Sequence, residues 1–210
     1  QMVNDNLDLK EFPNYLNPKI LPVKEPKYVV QEEVVIDANV EVEKAKIGLK
    51  IPLKDLKGFE RVKLNIMLSI ILSNNFGDSS DLKEELLQNN IITFLSATRF
   101  VLEDYIVIDV TIESKILDEA IRRVIDALEH LHMNEADLKR KVNSSIATLV
   151  LNYEDVESVN NMLQTYLVYY KKIIPNLKEI YESITLEEIK EVIQAINTKE
   201  MVVVKMKKQN

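Results

Sequence analysis

The chain has no cysteine and no tryptophan, and only two histidines and three glycines among its 210 residues. Without cysteine it can form no disulfide, no thiolate metal site and no cysteine nucleophile. So few glycines argue against a glycine-rich phosphate cradle. Long apolar runs are missing as well: the longest, 66–72, is interrupted by Ser69 and falls far short of the ~20 residues that span a bilayer. The first ten residues are polar, with no basic start leading into an apolar stretch, so no secretory leader is expected there. Together these absences give the expectation of a cytoplasmic protein without a membrane partner. A net charge of −7 lacks the cationic field that broad nucleic-acid binding needs. The basic cluster Lys205, Lys207 and Lys208 is read as a solvated tail.

What is present reads as one α+β domain after a connecting segment. Pro13, Pro18, Pro22 and Pro26 punctuate residues 1–26, and each removes a backbone donor and bars helix propagation. That stretch is assigned as a linker and the domain as 27–210. Residues 28–36 are valine-rich and read as a strand. Residues 46–51 alternate, with Ile47, Leu49 and Ile51 on one face and Lys46, Gly48 and Lys50 on the other, until Pro52 ends the run. Residues 59–73 repeat at helical spacing through Val62, Ile66, Met67, Ile70 and Ile71. Leu64, Leu68 and Leu72 extend the apolar surface almost all round, which predicts a deeply buried helix. A turn is expected at 74–78 and a short helix at 79–88. Residues 93–101 and 105–112 read as a hairpin whose second strand turns Ile106, Ile108, Val110 and Ile112 to one side.

The remainder is mostly helical. One stripe runs through Leu117, Ile121, Val124, Ile125, Leu128 and Leu131, and a second through Leu138, Val142, Ile146 and Leu149, with Asn134 placed to cap it. Val156, Val159, Leu163, Tyr166, Leu167 and Tyr170 mark a third helix. A capping box of Thr185 and Glu188 opens a fourth, which carries Ile189, Val192, Ile193 and Ile196. Residues 201–206 close with a strand. The order implies a two-layer sandwich of helices on a mainly antiparallel sheet.

The chemistry-bearing residues are sparse or scattered. His130 and His132, two apart on an expected helix, point ~200° away from each other. One helix therefore cannot offer both to a metal, as an i, i+4 pair can, unless its end unwinds. His130 is expected on the polar face with Arg123 and Asp126, and His132 at the edge of the core. The acidic pairs Glu84–Glu85, Asp118–Glu119 and Glu187–Glu188 sit beside expected helix starts, where they complement the dipole. Ser79 and Ser80 lack a partner base and a nucleophile elbow, and one or the other reads as a helix cap. Tyr166 and Tyr170 fall on an apolar stripe and read as core, with Tyr169 as an interface anchor. No catalytic, cofactor-binding or metal-ligating residue is assigned.

The strings KEPKYVVQEEVVI (24–36), KAKIGLKIP (44–52), LSIILSNNFGDSSDLKEELLQNNII (68–92), IRRVIDALEHL (121–131) and NEADLKRKV (134–142), in this order and spacing, resemble one half of the insulinase-like metallopeptidases. That group includes pitrilysin and the mitochondrial processing peptidases. The resemblance covers about 24–207 and is nearest to the C-terminal half of small bacterial two-half members. It implies an α+β half that faces a second half across a chamber. The family's catalytic half carries His-x-x-Glu-His on its first long helix, where two histidines and a downstream glutamate hold zinc and the motif's glutamate activates water. The matching helix here, 59–73, has no histidine, and its one acid is Glu60. The resemblance thus implies a non-catalytic half without a cofactor of its own, with zinc in a partner half, peptide as substrate, and a role as chamber wall and scaffold. Family positions for a substrate-binding arginine and tyrosine fall near Leu87 and Thr93, beside Phe94, and neither matches. The alternative is a structural or interaction module of the same fold with no associated peptidase activity.

Overall fold

A computed structural model describes residues 28–209 except 57 and 103, with only the backbone of 54 and 55. The expected linker 1–26, and residues 27 and 210 at the assigned domain limits, lie outside the described residues. The sheet contains β1 (Glu33–Ala38), β2 (Glu43–Pro52), β3 (Phe94–Val101), β4 (Tyr105–Ser114) and β5 (Met201–Lys208), in the spatial order β1-β5-β2-β4-β3. β1 and β5 run parallel, and the other pairings are antiparallel. A 3-10 turn, Leu53–Leu56, follows β2.

Alternation along β2 and β4 decides which face of the sheet is inside. Their register sets Ala45, Ile47, Leu49 and Ile51 opposite Ile112, Val110, Ile108 and Ile106, and all eight side chains are buried. Each of the buried valine, leucine and isoleucine side chains contributes ~1.5–3 kcal/mol relative to its exposed state. Onto this face pack α1 (Arg61–Phe76), α2 (Asp81–Gln88), α3 (Leu117–Glu129) and α7 (Leu186–Ala195), through a continuous apolar cluster. α3 buries Leu117, Ala120, Ile121, Val124 and Leu128, a single helical stripe. α4 (Glu135–Glu154), α5 (Val156–Tyr170) and the short α6 (Leu177–Glu182) complete the helical layer.

The sandwich and its strand and helix order agree with the sequence reading, and the differences are local. α1 does not stop at 73: Asn74 and Asn75 continue it to Phe76, because their side chains are held inside. The Asn75 amide donates to the carbonyls of Ile71 (2.9 Å) and His132 (3.0 Å), and its oxygen accepts from the His132 amide at 3.2 Å. The expected turn at 74–78 is therefore confined to the residues after Phe76. β1 starts at Glu33 rather than at residue 28, where β5 first offers it a partner. α6 was not expected, having only a short apolar pattern of its own. The basic cluster is no solvated tail: Lys205 and Lys207 belong to β5, and Lys205, with a side chain only 14% exposed, bridges Glu33 (2.7 Å) and Asp118 (3.0 Å).

Candidate functional site

The two histidines do not lie on a helix. α3 ends at Glu129; His130 is its C-cap and His132 lies beyond it, and both side chains are exposed. His132 is thus not at the core edge. The His130 Nδ1 lies 2.7 Å from the Asp126 carbonyl oxygen, to which it donates. Both rings border a polar cavity shared with Glu85, Arg123, Asp126 and Asp137. Among the described residues, no group of three or more His, Cys, Asp or Glu is arranged to hold a metal.

The helix at which the resemblance would seat zinc is built for packing. α1 buries Val62, Leu64, Ile66, Met67, Leu68, Ile70, Ile71 and Leu72, so its turns offer hydrocarbon where a metal needs nitrogen and oxygen. Glu60, at its N-cap position, pairs with Lys172. Lys63 is tied to Glu188 at 2.6 Å and to the Ser183 carbonyl at 3.1 Å, which fastens α1 to the capping box of α7. These residues do not fit a zinc ion.

Ser80 and most of the paired acids fall where capping predicts, whereas the Ser79 hydroxyl accepts from Lys141 at 3.2 Å. Ser80 accepts the Lys83 amide at 3.3 Å and opens α2. Asp118 and Glu119 occupy the first turn of α3, and Glu187 and Glu188 that of α7. Glu85 instead reaches Arg123 at 2.5 Å. Leu87 and Phe94 are exposed, and the Thr93 hydroxyl donates to the Glu113 carbonyl at 3.2 Å. None of the three meets a substrate-like arrangement of donors.

Sequence reasoning missed a polar cluster between β3 and the helices. Arg99 projects from the inner face of β3 and donates to the Asn65 side-chain oxygen at 3.0 Å. Burial lowers its pKa from the ordinary arginine value, and Tyr170 and Tyr181 partly offset this. Burial also raises Tyr166 to about 12 and pushes Tyr170 and Tyr181 upward. These phenols stay neutral, and the cluster joins β3 to α1. Tyr166 and Tyr170 pack against the core with ring centroids 6.0 Å apart, whereas Tyr169 is 59% exposed.

Two surfaces remain available for binding. On the side of the sheet away from the core, Lys44 pairs with Glu113 directly across the β2–β4 register (2.6 Å), and Lys46 pairs diagonally with Asp109, which lies opposite Gly48 (2.9 Å). Beside these pairs opens a cavity of about 690 Å³, lined by Tyr28, Gly48, Lys50, Tyr105, Val107 and Val202 among others. Lys50 Nζ lies 5.6 Å from the Tyr105 ring centroid. The second surface belongs to the end of α4 and to α5, which buries no residue completely. Leu151, Val156, Leu167, Val168 and Tyr169 are all exposed there, Val156 to 85%.

No protein-family profile matches the sequence, and no curated protein matches it. Solved structures do match. A structure described as an M16-like peptidase, from Alicyclobacillus acidocaldarius, superposes with a TM-score of 0.81 at 15% identity, over 99% of this chain and 50% of that one. A protease from Helicobacter pylori gives 0.72 at 19% identity, over 91% and 48%. A peptidase M16 inactive domain from Pseudomonas fluorescens gives 0.66 at 12% identity, over 91% and 47%. The chain thus spans about half the length of these proteins. At such identities the likeness shows the fold alone: an α+β sandwich of the kind found in M16, or insulinase-like, peptidases.

Proposed function

We propose that this chain is a non-catalytic M16-like domain that works by binding rather than by hydrolysis, as one half of a peptide-enclosing chamber completed by a zinc-bearing half. The observation that carries this reading is α1, whose buried turns hold aliphatic side chains where a zinc motif would need histidines. The half-length match to an M16-like peptidase and to a protease supports the second half, in the same polypeptide or as a separate subunit. The open side of the sheet, with its salt-bridged lysines and its cavity, is the surface offered to the peptide. The test is hydrolysis of a quenched peptide pool by the chain alone and mixed with a candidate His-x-x-Glu-His half, with and without chelator. Chelator-sensitive cleavage in the mixture only is expected. Cleavage by the purified chain alone would overturn the reading.

One observation favours a second reading, that of an interaction module without an associated peptidase. The exposed apolar side of α5 is a contact surface in search of a protein partner. A stable complex that cleaves nothing in either condition would support it.

A further inference from the structure

On the open side of the sheet, β2 presents Lys44, Lys46, Gly48 and Lys50 in turn. Gly48 is the one bare position, and the chain's own geometry does not require it. Among the described glycines only Gly58 has a positive φ. A Cβ built on Gly48 meets nothing within 4 Å, so no neighbouring side chain excludes a larger residue either. Glycine inside a strand gives up packing and costs conformational entropy, and it marks places where a ligand or another backbone approaches closely. The space left by Gly48 opens into the 690 Å³ cavity. Its cross-strand neighbour Val202 and the nearby Val107 flank the gap, Tyr28 and Tyr105 are aromatic lining, and the exposed Asp104 and Glu200 add negative charge. A mostly apolar cavity of this size with a few charged groups is the usual form of a small binding site.

We infer that this cavity is a side-chain pocket for an extended peptide. It takes a bulky apolar residue against Gly48, with an adjacent lysine or arginine of the peptide beside Asp104 and Glu200. The inference rests on the reading of the open side of the sheet as a chamber wall, and names what that wall selects. Gly48 is the specificity-determining position, because any side chain there occupies the space that the ligand needs.

The test titrates the ¹⁵N-labelled chain, without any partner half, with three capped peptides: Gly-Phe-Arg-Gly, Gly-Ala-Arg-Gly and Gly-Phe-Glu-Gly. The expected result is saturable amide shifts at Gly48, Val107 and Val202 with the first peptide, and roughly tenfold or weaker binding of the other two. Gly48→Leu should abolish those shifts and leave the melting temperature unchanged. Three results would each overturn the inference: no saturable shift at these amides, equal binding by Gly48→Leu, or a melting temperature lowered by several degrees in that variant. The last would mean that the chain itself fills the space. Because the titration needs no partner half, its failure is distinct from the absence of chelator-sensitive cleavage, which bears on the chamber alone.

Discussion

Gly77 and Gly48 show how one residue type answers different demands. Gly77 ends α1 in an extended conformation, with its amide donating to the Ser73 carbonyl at 3.1 Å. A Cβ there would lie 2.3 Å from that same carbonyl oxygen. Backbone cannot yield as a flexible side chain would, so Gly77→Ala should destabilise the fold by about 1–3 kcal/mol, a loss of several degrees in melting temperature at this chain length. Thermal unfolding followed by circular dichroism measures it; an unchanged midpoint would mean the helix end relaxes freely. Asn75 shows a second kind of demand. It is 5% exposed, and its amide group satisfies both the His132 carbonyl and the His132 amide, so a buried polar side chain supplies the link between α1 and the loop after α3.

Among the elements, α3 is held from its first turn. Asp118 receives Lys205 at 3.0 Å and Lys207 at 3.4 Å, both from β5. The Lys205 hydrogen bond is the largest of the influences that hold the Asp118 carboxyl below the ordinary aspartate value of 3.8. A carboxylate depressed on folding adds stability that is present above its unfolded pKa and lost as the pH falls through the lowered folded value. Asp118→Asn should therefore lower the stability slightly at pH 7, by no more than ~1 kcal/mol after solvent screening, read as a small drop in melting temperature. The gap between parent and variant should close below pH 3.8; a gap independent of pH would show that ionisation of Asp118 does not anchor α3.

Elements with their own periodicity were legible in the sequence. β2 and β4 carry strict alternation, and α1 is apolar on nearly every side, so no distant contact was needed to read them. The misread positions depend on partners far along the chain. Asn74 and Asn75 look like turn residues, and the His132 backbone keeps them helical. Leu131 extends the α3 stripe on paper, but the helix stops at Glu129 and carries His132 out of the expected arrangement. Val29 and Val30 favour a strand, yet β1 begins only where β5 reaches it. The same dependence explains the candidate site. Gly48 was correctly placed on the polar face of β2, but its cavity also needs Tyr28, Tyr105 and Val202, which only the folded sheet assembles.

For the whole molecule, the question is which surfaces meet another protein. The open side of the sheet and the exposed side of α5 are separate, and a single substitution can test the second. Val168 is 62% exposed, so Val168→Glu should leave folding intact while weakening a complex made through α5. Sedimentation of the chain with its candidate partner half, beside the parent, reads the difference; an unaffected complex would remove α5 from the interface. The order of the sheet has a consequence of another kind. β5, the last of the described strands, lies between β1 and β2. On the ribosome, β2, β4 and β3 can pair with one another before β5 is made, whereas β1 must wait for β5 before its backbone donors and acceptors join the sheet. Pairing over such sequence separations is slow and leaves strand edges open to misassembly. Emergence of β5 from the exit tunnel is therefore the event that lets β1 join the sheet.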